Sequence, residues 1–302
     1  MTKESVESSS IEEIHTTVES VLKSQVIPAS EQKSPDRETL SYQEAVYWAM
    51  KNMENFSIST RLILGIHERL MQTKIGYRKL QNGIQNKKTG EITYTPPIAS
   101  RLDELIQNWE NFVNKADNLK IDPLIRCAIA HYQFEAIHPF GDGNGRTGRI
   151  LLVLQLVQEG MLDFPVLYTS AYFNRNRPQY YQALQRVTET GDWETYILFV
   201  LEGFRTEAIK TKEKIFQMKN LYEKLTETIR KNHSKMNAIE TVSHIFSFPF
   251  TTPTQFSTAL KIHYQTASKH LAELKKAGIM RDLWLGKHHL YYSLELYEMI
   301  RT

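Results

Sequence analysis

His138-Pro-Phe-Gly-Asp-Gly-Asn-Gly-Arg-Thr-Gly-Arg149 places an imidazole, a carboxylate, a side-chain amide, glycines and two arginines within twelve residues. Gly141, Gly143 and Gly145 let the backbone turn tightly and approach a ligand closely. A strongly apolar helical pattern follows from about Asn144 to Glu159. The glycines therefore sit at a helix start, where unpaired N–H groups and the positive end of the dipole favour an anion. Asp142 offers a hard oxygen suited to Mg²⁺ shared with phosphate oxygens. Arg146 and Arg149, three apart, lie on one face of the first turn and can fork onto phosphates. Asn144 can donate to a phosphate oxygen, and His138 can take a proton near neutral pH. Together these parts describe transfer of a phosphorus-centred group to a hydroxyl.

Taken singly, each residue has a plainer role. His138 can be a helix C-cap, Asp142 an Asx-turn residue, and the arginines solvated or ion-paired. No Lys-Ser/Thr follows the glycines, so the segment is not a Walker loop. His131, Glu135 and His138, at i, i+4 and i+7, also copy half of a di-iron bundle motif. Such bundles need two Glu-x-x-His motifs and two further glutamates on facing helices.

Outward from this segment the pattern is nearly all helical. Ser8–Ser24 reads as one amphipathic helix with Ile11, Ile14, Val18, Val21 and Leu22 at helical spacing. Ile27–Thr39, polar and holding Pro28 and Pro35, reads as a loop. Ser41 to about Thr73 is helical, with Ser41 as cap and Glu44 three residues on. Asn86-Lys-Lys-Thr-Gly90 reads as a turn and Ile92-Thr93-Tyr94-Thr95 as a strand, which gives a small hairpin ended by Pro96-Pro97. Helices are predicted over Ser100–Lys115, Pro123–Ile137, Arg177–Thr190 and Trp193–Arg230.

Beyond them a second unit begins. Thr252-Pro253 opens a helix bearing Phe256, Ala259 and Leu260. A second helix, Tyr264–Lys276, turns Ala267, His270, Leu271 and Leu274 inward and ends at Gly278. Ile279–Leu285 and His289–Leu294 then read as strands joined at Gly286-Lys287, the winged-helix pattern. DNA docked on it would meet Gln265, Thr266, Ser268 and Lys269 on the second helix, with Lys287 and His288 on the wing. Glu273, Asp282 and Glu295 dilute that basic surface, and winged helices also dock proteins.

The chain has 302 residues, is 41% hydrophobic and carries a net charge of +3, enough for about two domains and selective for no partner class. Cys127 is its one cysteine, so no internal disulfide forms and a reducing compartment fits. No apolar run opens the chain, and Ile150–Val157 falls far short of the ~20 residues a membrane span needs. A soluble cytoplasmic protein without a signal peptide is expected.

The central segment resembles the signature of Fic-domain proteins at every defining position. Gly76-Tyr-Arg-Lys-Leu-Gln-Asn-Gly-Ile84, Tyr94-Thr-Pro-Pro97, His131-Tyr-Gln-Phe-Glu-Ala-Ile137 and Arg177-Pro-Gln-Tyr-Tyr181 look like the family's flanking segments, and the likeness runs from about Ser8 to Phe204. The resemblance implies a mainly α fold: a helical core with a β-hairpin flap, followed by a C-terminal winged helix. The implied divisions are 1–40 (inhibitory helix and linker), 41–230 (core) and 231–302 (winged helix). The implied activity is transfer of AMP from ATP to a protein hydroxyl, with Mg²⁺. By position, His138 would be the base and Asp142 the metal ligand. Gly141, Gly143, Asn144 and Gly145 would bind phosphate oxygens, with Arg146 and Arg149 on the outer phosphates. Ile92, Thr93 and Tyr94 would align the target chain by strand addition. Tyr180 or Tyr181 would line the nucleoside pocket.

Ser8-Ser-Ser-Ile-Glu12-Glu13 resembles the family's inhibitory motif, in which the glutamate pairs with the second arginine, here Arg149. It departs at Glu13, where Gly or Asn is usual. Ser9-x-x-Glu12 also fits a capping box. Two other readings share the fold: a nucleotide-sensing, DNA-binding regulator, and an enzyme that uses another nucleotide or removes AMP. The expected partners are ATP, a hydroxyl-bearing protein, DNA through the winged helix and a second copy of the chain, with no membrane.

Overall fold

The computed structural model describes residues 1–53, 57–85, 92–114 and 120–301. The chain divides into two compact units: Lys3–His15 with Glu38–Ala208, and Thr16–Arg37 with Ile209–Thr302. Among the described residues no helix is long and apolar enough to cross a membrane.

Helices α1 (Thr2–Ile11), α2 (Val18–Ser24) and α3 (Ser34–Met53) open the chain. The single helix expected over Ser8–Ser24 is thus two. Glu12 caps the end of α1, Glu13 turns left-handed at φ 65°, and Thr17 starts α2 by accepting the Ser20 N–H at 3.1 Å. The loop expected over Ile27–Thr39 is also shorter. Pro35 sits at the start of α3, where a proline's missing N–H leaves no helical bond unmade. Ser41 lies inside α3 rather than at a cap, and its hydroxyl accepts from Gln72 at 2.8 Å.

The first unit continues with α4 (Thr60–Met71), α5 (Leu102–Asn114), α6 (Pro123–Ile137), α7 (Asn144–Gln158), α8 (Thr169–Arg175) and α9 (Arg177–Thr190). Helix α10 (Trp193–Asn232) begins in this unit. A ribbon of β1 (Ile84–Gln85) and β2 (Ile92–Tyr94) pairs antiparallel. The turn expected at 86–90 lies outside the described residues. Helix α7 is buried on nearly every side from Asn144 to Leu156, as an all-round apolar helix must be. One core joins it to Trp109, Phe134 and Phe140, and another to Phe173, Tyr180 and Tyr196. A buried Arg126–Glu159 ion pair ties the start of α6 to the residue that ends α7.

In the second unit α11 (Ala238–Ser247), α12 (Pro253–Leu260) and α13 (Tyr264–Lys276) enclose Val242, Ile245, Phe256, Leu271 and Leu274. A three-stranded antiparallel sheet runs in the order β3 (Phe250–Thr251), β5 (His288–Tyr292), β4 (Arg281–Leu285), and α14 (Leu294–Arg301) follows. Thr252 caps α12 as expected, by accepting the Gln255 N–H at 3.2 Å. Of the apolar residues on α12, Phe256 is buried and Ala259 is exposed. Leu22 of α2 packs with Phe250, Leu290 and Tyr297 in this unit.

Candidate functional site

The six residues between α6 and α7 form a pinned turn. His138 ends α6 in the left-handed region, φ 51° and ψ 58°, which non-glycine residues adopt uncommonly. Gly143 turns left-handed again at φ 75° and starts α7. The buried side chain of Asn144, the first residue of α7, reaches back into the turn. Its oxygen accepts the Phe140 N–H at 2.8 Å, and its nitrogen donates to the Phe140 carbonyl at 2.9 Å. The His67 ring stacks on Phe140 with centroids 3.7 Å apart, and its Nε2 lies 3.0 Å from the Asp142 carbonyl.

No side chain caps the start of α7, so its first amides and dipole meet the turn without an internal acceptor. Asp142 stands at the mouth with its side chain 76% exposed, 3.9 Å from Arg146. One of its oxygens accepts the Gly143 N–H at 2.6 Å. The His138 Nδ1 faces the Glu135 carbonyl at 3.3 Å. A carbonyl only accepts, so Nδ1 carries the proton and Nε2 is left with the lone pair. Burial lowers the His138 pKa below its ordinary value, opposed by the Glu135 hydrogen bond and the Glu12 charge.

The two arginines differ in their partners. Arg149, 1% exposed, is held by α1 and its capping residue through two nitrogens: Nε donates to the Ser8 hydroxyl at 2.9 Å, and Nη2 donates to the Ser8 carbonyl at 3.0 Å and to Glu12 at 2.8 Å. Burial alone would favour the neutral form of Glu12. The guanidinia of Arg149, Arg146 and Arg177 outweigh it and hold the carboxyl below its usual range. Arg146, 3% exposed, meets Glu38 at 3.5 Å and the Met71 sulfur at 3.7 Å, and its Nε has no partner among the described residues. A Cβ at Gly145 would fall on the Glu12 carboxylate, so any side chain there would have to displace the Glu12–Arg149 pair.

Residues 57–156 match the Fic/DOC family model, and residues 1–51 match the Fic/DOC family N-terminal model; together the two cover half of the chain. The chain belongs to the Fic/DOC family. Residues 221–296 match the model for the C-terminal domain of the SoFic-like protein adenylyltransferase. Protein adenylyltransferase fic-1 of Caenorhabditis elegans is 36% identical over 107 residues, 35% of this chain and 20% of the relative. Protein adenylyltransferase Fic of Drosophila grimshawi is 30% identical over 152 residues, 50% of this chain and 29% of the relative. The chain thus spans under a third of the length of these two relatives. Among solved structures, a Fic family protein from Desulfovibrio desulfuricans G20 aligns with a TM-score of 0.57 at 19% identity, covering 97% of this chain and 86% of that one. A Fic-1 structure from C. elegans aligns with a TM-score of 0.55 at 24% identity, covering 70% and 62%. These likenesses show the Fic fold.

Within this Fic/DOC core His138, Asp142, Gly143, Gly145, Arg146 and Arg149 converge on the mouth of α7, with Glu12 beside Arg149. Asn144 pins the turn through Phe140, using its oxygen and one of its two amide N–H donors. Two expectations fail locally. Tyr180 is a core residue: 1% exposed, stacked on Phe173 at 4.7 Å, with its hydroxyl on His131 Nε2 at 2.8 Å. Tyr181, 47% exposed, is the accessible one of the pair. The capping box at Ser9 does not form, because Glu12 follows the end of α1 and Ser9 lies in its last turn. The di-iron reading has no support either, since no group of three or more metal-ligating side chains assembles among the described residues.

Sequence reasoning quoted Ser8 as the first residue of the inhibitory motif but missed Arg78 and His67. Ser8 precedes Glu12 by four residues, the spacing that puts both on one side of a helix. Arg78 lies in the quoted segment before the ribbon, where nothing local marks its partners. In the second unit Gln265, Thr266 and Lys269 are exposed and Ser268 is half-buried. Lys287 and His288 meet Glu31 at 3.0 and 2.8 Å.

Proposed function

We propose that this chain transfers AMP from ATP to a hydroxyl side chain of a protein, and that Glu12 restrains the transfer by holding Arg149. The observation that carries this reading is the Glu12–Arg149 pair at 2.8 Å, next to Arg146, whose buried Nε has no partner among the described residues, and to His138, whose Nδ1 faces a carbonyl. Arg149 cannot grip a phosphate while Ser8 and Glu12 occupy it.

In the proposed reaction a target hydroxyl attacks the α-phosphorus of ATP. The new O–P bond forms as the bond to the β-phosphate oxygen breaks, pyrophosphate leaves, and His138 Nε2 takes the hydroxyl proton. The α7 amides at Gly143 and Gly145, together with Arg146 and Arg149, stabilise the phosphate charge; Gly141 lends room at the mouth. Asn144 acts by shaping the turn.

A lone exposed carboxylate fits Mg²⁺, which takes one or two protein oxygens and completes its shell from phosphates and water. Asp142 would hold it, and the ion would supply neutralisation of phosphate charge. The exposed Ile92 and Thr93 of β2 offer an edge for a target strand, and Tyr181 is the residue for the nucleoside rim. The α12–α13 pair with the β4–β5 ribbon supports a winged helix spanning the C-terminal region. Glu31 and Asp282 sit on its basic groups, which favours a docking role over duplex binding.

The test is to incubate the Glu12→Gly protein with each nucleoside triphosphate and a cell lysate, then to read the mass added to modified peptides. AMP on a serine, threonine or tyrosine is the expected result. A different nucleotide, or no adduct, overturns the reading.

A further inference from the structure

We propose that Arg78 is a positioning residue for His138, holding the imidazole and the roots of the β1–β2 ribbon as one piece; the inference rests on His138 being the base. Arg78 is 8% exposed, and its side chain is bound by main-chain carbonyls. Its Nε donates to the His138 carbonyl at 2.9 Å, Nη1 to the Leu80 carbonyl at 3.2 Å, and Nη2 to the Pro97 carbonyl. Its own backbone N–H donates to the Pro139 carbonyl at 2.9 Å. No carboxylate pairs with it among the described residues. A buried cation without a counter-ion is costly, and neutral carbonyls are a weak return for stability alone.

The three carbonyls mark what the arginine joins. Leu80 precedes β1 and Pro97 follows β2, so two forks grip the ribbon at both roots, while the third grips the strained residue that carries the base. Two further bonds run the same way: Tyr94 Oη to the Ala136 carbonyl at 2.8 Å, and Asn82 Nδ2 to the Phe140 carbonyl at 3.4 Å. The ribbon is the proposed docking edge for the target chain, and His138 must accept that chain's proton. Arg78 therefore sets the spacing between target and base. Its charge also helps hold the His138 pKa down.

The experiment uses the full chain in the Glu12→Gly background with Arg78→Met and Arg78→Lys. A 1 Å error in placement can lower a rate by about 10²-fold, so Arg78→Met should lower kcat by that order. Calorimetric ATP affinity should stay within about twofold, because a positioning role leaves nucleotide binding intact. In the nitrogen-15 spectrum, the His138 resonances, assigned with His138→Ala, should change from a single Nδ1-protonated form to a mixture. Lysine keeps one donor cation and should fall between parent and methionine.

Unchanged kcat and His138 spectrum in both variants would overturn the proposal. So would equal losses of kcat, ATP affinity and cooperative unfolding in both. If the Glu12→Gly parent shows no His138-dependent transfer, the AMP-transfer reading fails, and the imidazole spectrum still reports whether Arg78 positions His138.

Discussion

Two helix–turn–helix junctions in this chain use the same backbone device to opposite ends. The α6–α7 junction begins with His138 at φ 51°, and the α12–α13 junction begins with Lys261 at φ 53°. Each ends its first helix with a non-glycine residue in the left-handed region. At the second junction Lys261 is exposed, the Ser257 hydroxyl ties the turn through the Ile262 carbonyl at 2.7 Å, and His263 caps α13. At the first, the left-handed residue is gripped by Arg78, and both arginines of the following turn are buried. Backbone geometry alone does not make a site. Buried charge with incomplete or competing partners does.

The largest expected effect lies at the first junction. In the Glu12→Gly background, His138→Ala should reduce AMP transfer by about 10²–10⁴-fold, the usual range for a general base. Steady-state labelling with intact unfolding curves checks it. Glu12→Gly alone should raise transfer by roughly 5–150-fold, the span of ordinary coupling energies. Asn144→Ala should destabilise the first unit by about 1–3 kcal/mol, because it leaves the buried Phe140 N–H unpaired. Ser257→Ala, its counterpart at the second junction, should cost less than that in the same denaturant titrations, since its carbonyl partner lies at a half-buried turn.

The pH profile sharpens the contrast further. A base works unprotonated, and His138 has a lowered pKa, so activity persists below the ordinary histidine value before it falls. Removing Glu12 also removes a charge that raises this pKa. The acid limb of kcat/KM for Glu12→Gly should therefore lie below ~6.5, the unperturbed value. The smallest effects belong to the second junction. Lys261→Gly should stabilise by up to about 1 kcal/mol through relief of the left-handed strain. Lys269→Ala should change stability by no more than about 0.5 kcal/mol.

The same contrast explains what the sequence could tell. Periodicity located α6, α9 and α13 because each runs between strong local signals, such as Asp122-Pro123 before α6 and Gly191 after α9. It merged α1 with α2 because Ile11, Ile14 and Val18 keep helical spacing across the break. The break is set by partners far along the chain, Arg149 and Arg177. The loop residues of the site were legible because their types cluster within one dozen positions. Arg78 was not, since its meaning comes from the carbonyls of Leu80, Pro97 and His138, and every residue has a carbonyl. Tyr180 and Tyr181 could not be separated by spacing, and only burial tells the core tyrosine from the accessible one.

The most direct test compares initial rates of label transfer from α-labelled ATP by the wild type, Glu12→Gly, and Glu12→Gly with His138→Ala. The rate should rise when Glu12 releases Arg149 and return to background when His138 is removed. Equal rates for the wild type and Glu12→Gly, or transfer that survives the loss of His138, would contradict the account.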